Sequence, residues 1–344
     1  MTSRIYLLLL FVLQAAIPAI GQTQASPQAS ISNGILHVRL YLPNATNGFY
    51  RGTRFDWSGV IRSLEYKNHN YYGPWFTNTD PKVIDFIFKG PEIVAGPCSA
   101  ITGPVEEFPG TLEFEKVEAG GTFIKIGVGV LRKPDKQPYN PYRLYQIVNP
   151  GKRSVQTKPD SVTFTQVLTD AASGYAYRYT KIVRLVPGKP EMVLEHWLEN
   201  TGRRRIATSV YDHNFLVLDR QTTGPDFVIT FPYAIRGYDM HEADLTQIAG
   251  ERFAYRKPLA GQEIVSAGFS GFGNTSADYR IRIENHKIGA GMTITGNRPL
   301  SEEDLWSIRS VIAVEPFIRM SIEPGKAFTW KYDYTYYSLH RANK

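Results

Sequence analysis

Two short segments about a hundred residues apart each set one proton-transfer group in a strand-like frame. They read Tyr211-Asp212-His213-Asn214-Phe215-Leu216 and Val314-Glu315-Pro316-Phe317. A histidine and a carboxylate that converge on one pocket can take a proton from one atom and give a proton to another, which is general acid–base chemistry. Taken alone, a histidine in an apolar strand is more often structural. Here Asp212, His213 and Asn214 stand together at the head of the apolar run Phe215-Leu216-Val217-Leu218. Burying three unpaired polar groups costs at least a few kcal/mol, about 2 or more each, and a polar pocket would account for them. Glu315 follows Ser310-Val311-Ile312-Ala313-Val314. Such a setting raises a carboxyl pKa toward the range of a useful base; the alternative is a salt bridge to a strand neighbour.

Two further segments concentrate charge and aromatic surface. Tyr50-Arg51-Gly52-Thr53-Arg54-Phe55-Asp56-Trp57 packs two arginines, an acid and three aromatic rings together, and Gly103-Pro104-Val105-Glu106-Glu107-Phe108 pairs two acids in a loop. Aromatic rings stack on the CH faces of sugars while Arg, Asp and Glu bond the hydroxyls. The arginines could equally take a carboxylate or phosphate in bidentate fashion. The bland alternatives are an internal Arg–Asp pair that fixes a hairpin and a solvated acidic loop. Read as a strand, the first segment would put Arg54 and Asp56 on one face. The expected substrate contacts are Arg54, Asp212, Glu107, Arg51 and Asp56.

These residues must be positioned by β-structure. Ile35–Leu42, Thr163–Leu168, Tyr177–Val183, Met192–Leu198, Tyr279–Glu284 and Phe328–Tyr336 alternate between apolar and polar, and turn residues punctuate at short intervals. So many strands at this spacing predict an all-β fold, a large antiparallel sandwich. Helical pattern is scarce. Ser301 followed by Glu302-Glu303-Asp304 reads as a capped helical turn, and residues 239–250 as another short helix. The proline-laced stretch 133–141 reads as a loop. Residues 35–340 read as one domain behind a flexible lead-in, 22–34.

Residues 1–21 read as a signal peptide: Arg4, an apolar stretch to Ile20, then small residues before a cut ahead of Gln22. That predicts a secreted or periplasmic protein without stable membrane insertion. Removing Arg4 with this segment takes the formal charge from +7 to +6. No nucleic-acid motif accompanies the scattered charge. The single cysteine, Cys98, cannot form an internal disulfide, so a packed core must supply stability. The glycine-rich stretches lack phosphate-loop spacing, no His/Cys/Asp set has metal-ligand spacing, and no Gly-x-Ser-x-Gly elbow is present. No cofactor or metal is expected.

The order Asn200-Thr201-Gly202, Asp212-His213-Asn214-Phe215, Val314-Glu315-Pro316, Ile322-Glu323-Pro324-Gly325-Lys326 resembles that of the aldose 1-epimerase, or galactose mutarotase-like, family. Gly59–Tyr66 is similar to the early hairpin of that fold, and the resemblance spans most of residues 35–337. It implies a β-supersandwich with a few short helices and a sugar bound in a concave face. His213 would match the acid that protonates the ring oxygen, and Glu315 the base that takes the anomeric proton. The chain departs from the family at one point. Many members carry a second active-site histidine, whereas no histidine lies between His69 and His196 here. Two alternatives remain open at this stage: a lyase-like enzyme on uronic-acid glycans, and a non-catalytic carbohydrate-binding protein. The ligand could be neutral or anionic, and the protein a monomer or homodimer.

Overall fold

The computed structural model describes residues 25–339; the expected signal peptide lies outside them. Among the described residues strands dominate, and the helical pieces are four 3-10 turns: Phe114–Lys116, Leu218–Arg220, Ala243–Leu245 and Ser276–Asp278. No described helix is long and apolar enough to cross a membrane.

Two large antiparallel sheets form the body. The ten-stranded sheet runs, in spatial order, Lys152–Lys158, Ser161–Asp170, Tyr175–Leu185, Glu191–Asn200, Ala327–Ser338, Ala290–Gly296, Arg280–Asn285, Phe227–Thr230, Arg252–Tyr255, Thr246–Ala249. The six-stranded sheet runs Arg236–His241, Ile264–Ser270, Glu302–Ile308, Val311–Ile322, Ile206–Phe215, Gly103–Glu107. Small sheets near the N-terminal half flank them.

Alternation sets which side chains meet between the sheets. From Val311–Ile322 the even-numbered Ile312, Val314, Ile318, Met320 and Ile322 enter the main core. From Ala327–Ser338 that core receives Trp330, Tyr332, Tyr334 and Tyr336. The outer face of the six-stranded sheet is covered in part by a second apolar cluster that includes Phe55, Trp57, Trp75, Phe215 and Val311. Residues 210–215 are therefore buried on both faces.

Local turns tie the two sheets together. Asn200 Nδ2 donates to the carbonyls of Arg204 and Ile322 at 2.7 and 2.8 Å, and its backbone bonds Lys326 and Gly325. The Asn200–Gly202 turn is thus latched onto the Ile322–Lys326 turn. A Cβ at Gly202 would stand 2.5 Å from the Ala176 nitrogen, so this close approach requires glycine.

Three expectations are corrected. Glu302–Ile308 is a strand, because its acids alternate with the buried Glu303, Leu305 and Ser307 and pair along Val311–Ile322. Of residues 239–250 only Ala243–Leu245 is helical; the rest belongs chiefly to two strands. Within the lead-in, Gln28–Ser32 is a strand paired with His37–Tyr41, anchored by the buried Ile31.

Candidate active site

His213 and Glu315 meet. The Ile206–Phe215 strand pairs with Val311–Ile322 from Ile206↔Ile322 to Tyr211↔Phe317, and the pairing resumes at Leu216↔Ile312 in the same register. Continuing that register through the gap sets His213 opposite Glu315. Pro316, which has no N–H to donate, falls in the interrupted stretch. Asn214 Nδ2 fills it instead, donating to Val314 O at 3.0 Å and to Asp212 O at 2.8 Å. His213 Nε2 lies 3.2 Å from Glu315 Oε1. The imidazole is stacked on Phe215 at 3.7 Å between centroids, and Phe55 packs edge-on at 5.6 Å.

The pair borders a cavity of about 330 Å³ whose walls include Trp75, Phe86, Tyr142, Phe215, Tyr238 and Trp306. The volume suits a small ligand. Arg54 lines the same cavity. Its Nε donates to Glu107 Oε2 at 2.6 Å and its Nη2 to the Tyr211 hydroxyl at 3.1 Å. The guanidinium also lies over the Phe55 and Tyr142 rings.

Electrostatics drive the two central groups in opposite directions. Burial, and then the Arg54 charge, hold the His213 imidazolium pKa well below its ordinary value. Burial pushes the Glu315 carboxyl up to about 8; Arg54 opposes this, while Asp304, Glu107 and Glu302 add to it. Both shifts favour the neutral form of their group, which places the pair's proton on the carboxyl.

The remaining expected residues fall in several places. Glu107, expected in a loop, ends the buried Gly103–Glu107 strand; it lies behind Arg54 and accepts from Lys125 Nζ at 3.1 Å and Tyr211 OH at 2.5 Å. Burial alone would raise its pKa, but Lys125 and Arg54, with the bonds from Tyr211 and Arg54, hold it at about 2. It holds Arg54 and does not line the cavity. Asp212 points between the sheets and accepts from Tyr334 OH. Burial and the nearby Glu106 push its pKa up against the pull of Lys181. Asp56 is also internal, near Lys181 and Arg153, with Oδ1 on the Ser58 amide. Residues 51–58 form a loop and not a strand, so the expected shared face of Arg54 and Asp56 does not exist. Arg51 donates to Thr46 O at 2.7 Å and lines a separate, more apolar cavity.

Sequence reasoning missed Trp75, Asp85, Ser99, Tyr142, Tyr238, Asp239, Glu302, Asp304 and Trp306, all in the cavity wall. Asp304 lies directly across from Glu315 in the sheet. The alternation of Glu302, Asp304 and Trp306 was the available signal. Asp85 accepts from Ser99 Oγ at 2.7 Å and adopts a positive φ of 62°, an unusual conformation for a non-glycine residue. Cys98 is buried and free, and burial raises its thiol pKa, which leaves it a poor nucleophile. No group of three or more His, Cys, Asp or Glu side chains suited to a metal occurs among the described residues.

Comparison with solved structures identifies the architecture. A galactose mutarotase-related enzyme from Lactobacillus acidophilus superposes with a TM-score of 0.54 at 12% identity, over 92% of this chain and all of that one. A galactose mutarotase-like protein from Clostridium acetobutylicum gives 0.53 at 10% identity, covering 90% of this chain and 95% of that one. An aldose epimerase homologue from C. elegans gives 0.51 at 13% identity, over 92% of this chain and all of that one. No protein-family profile and no curated protein matches the sequence. The chain has the galactose mutarotase-like β-sandwich fold; at this identity the likeness concerns the fold alone.

Proposed function

We propose that the protein interconverts the anomers of an aldose, with His213 and Glu315 as a one-proton acid–base pair. The observation that carries this is the 3.2 Å approach of His213 Nε2 to Glu315 Oε1 beside an aromatic-walled cavity. The ring oxygen and the anomeric hydroxyl of a cyclic aldose share one carbon, so two groups this close can address both. One group gives a proton to the ring oxygen as the other takes the hydroxyl proton. The bond from the anomeric carbon to the ring oxygen breaks and a carbonyl forms. Rotation about the adjacent carbon–carbon bond presents the other face. Closure then returns both protons, with no redox change and no leaving group.

The resemblance assigned the acid role to His213 and the base role to Glu315. The opposed pKa shifts support a resting state with the roles exchanged, Glu315 as acid and His213 as base. Opening and closing are mirror steps, so a pair that holds one proton completes the cycle from either start. An exported location, expected from residues 1–21, fits an enzyme that meets sugars outside the cytoplasm.

A lyase on uronic-acid glycans would need a free cation for the uronate, and Arg54 is already bonded to Glu107. A purely binding role gives no reason to set a proton donor against a proton acceptor.

Anomeric exchange measured by NMR on a panel of aldoses, with wild type beside Glu315→Gln, tests the proposal. Exchange accelerated by the wild type and lost in the variant is expected. Acceleration that survives the substitution overturns the role of the pair.

A further inference from the structure

The charge around the cavity carries a second conclusion. Besides the His213–Glu315 pair, its lining contains the carboxylates Asp85, Asp239, Glu302 and Asp304 against a single guanidinium, Arg54. Arg54 shares the buried Glu107 behind it with Lys125, which leaves that group one positive charge against the four carboxylates. Among the described residues none of these four carboxylates makes an ion pair with a lysine, arginine or histidine, unlike Glu107, whose two oxygens meet Arg54 and Lys125. Glu302 and Asp304 project from the same strand face. Burial, and then the proximity of Glu302, push the Asp304 carboxyl up to about 6. Uncompensated like charges of this kind are relieved by a bound cation.

That cation is not a metal by the donor set, since no suitable cluster of three ligands forms among the described residues. The walls favour an organic ring instead. Tyr238 is 42% exposed and lies over Gly268, where a Cβ would stand 2.3 Å from the phenol ring. Glycine there lets the ring lie against the strand as a platform in the cavity wall that Trp306 also lines. Aromatic faces take both the CH face of a sugar and an adjacent ammonium.

Two residues of the cavity wall carry a buried polar atom without a protein partner. Trp75 and His213 are each 3% exposed, and Trp75 Nε1 and His213 Nδ1 have no protein partner. An indole N–H needs an acceptor, which a sugar hydroxyl supplies.

We propose that the cavity selects an aldose bearing a free ammonium group, an amino sugar whose cation meets the carboxylates of Glu302, Asp304 and Asp239. The proposal rests on the anomer-exchange reading for its turnover, but its charge argument stands without it. A uronate or sugar phosphate would set like charge against like in this cavity.

The test is anomeric exchange for three matched sets: 2-amino-2-deoxyhexoses, their N-acetylated forms and the corresponding uronic acids. At low ionic strength kcat/KM should favour the ammonium sugar over its N-acetylated form by about tenfold or more, equivalent to about 1.4 kcal/mol. Added salt should shrink that ratio. In the Glu302→Gln/Asp304→Asn double variant the ratio should fall to near one, with a cooperative melt showing that the fold persists. Equal or better use of the N-acetylated or uronic sugars overturns the proposal, as does a ratio that survives the double substitution. Calorimetric binding of the same panel to Glu315→Gln separates the two readings. Ammonium-selective binding without turnover of any sugar in the wild type sustains the charge proposal and removes anomer exchange. Unselective or anion-selective binding removes the charge proposal alone.

Discussion

The two faces of the Ile206–Phe215 strand, with the neighbouring Gly103–Glu107 strand, hold similar residue types in unlike circumstances. On the inner face Glu106 accepts from Lys181 on one oxygen and lies 2.6 Å from His196 Nε2 on the other. His196 stacks on Trp330 at 4.6 Å, and Asp212 is held by Tyr334. Lys181 reaches the Ser58 carbonyl as well. None of Glu106, Lys181, His196 or Asp212 borders the cavity. On the outer face a histidine and a glutamate again meet, but no lysine closes the set and a cavity opens beside them. A buried His–Glu contact therefore has no functional meaning by itself. The inner set is closed by a cation and walled in, whereas the outer set lacks that cation and borders a cavity.

The largest effects should come from breaking the two histidine–glutamate sets one at a time. Glu315→Gln should lower catalysed anomeric exchange by about 10²–10⁴-fold with little change in the denaturant midpoint; His213→Ala should lower it as far and also cost about 2 kcal/mol or more, because the buried imidazole packs on Phe215 and Phe55. Lys181→Met should do the reverse. It strands Glu106 in the interior and should cost about 3–5 kcal/mol in urea unfolding, and adding Glu106→Gln should recover part of that loss. Loss of activity from Lys181→Met in a protein that remains fully folded would erase the distinction between the faces.

The pH profile sharpens the contrast further. The one-proton state of the outer pair is lost to acid when His213 protonates, well below its ordinary pKa, and to alkali when Glu315 ionises near 8. Activity should form a plateau through neutral pH with an alkaline limb near 8. Arg54→Gln removes a charge that depresses the Glu315 pKa, so the limb should move upward in a rate–pH series.

The smallest effect is expected at Glu303, on the inner face of the Glu302–Ile308 strand. Neither of its carboxyl oxygens has a partner, and burial, then Asp304 and Glu315, hold its pKa well above the ordinary value. A folded pKa above the unfolded one gives a contribution that is complete below about pH 4.3, the unfolded value, and is lost as pH rises through the folded pKa. Glu303→Gln should flatten that decline in stability and change it by about 1 kcal/mol or less at pH 4.

The sandwich was legible because period-two alternation survives wherever one face is buried. His213 and Glu315 were legible as polar residues in apolar runs. Their neighbours were less so. Glu106 and Glu107 are adjacent in sequence, yet the pleat sends one to the interior and one to Arg54, and only the register distinguishes them. Asp56 could not be placed because strand geometry does not govern a loop. Glu302 and Asp304 were read as first-turn acids of a helix, since Ser301 and three acids imitate a cap. Trp75 and Tyr142 sit in irregular segments that carry no periodic signal.

The Ala327–Ser338 strand lies between Glu191–Asn200 and Ala290–Gly296 in the ten-stranded sheet. A ribosome must therefore deliver nearly the whole chain before the two halves of that sheet can join. Until then Glu191–Asn200 and Ala290–Gly296 each present an open edge, the form of β-structure most prone to pair with another chain. The pairings of Glu191–Asn200 with Ala327–Ser338 and of Ile206–Phe215 with Val311–Ile322 and Gly103–Glu107 span about a hundred residues or more, so folding should be slow and largely post-translational. A nascent chain arrested before residue 327 should expose both edges and depend on chaperones that hold it unfolded.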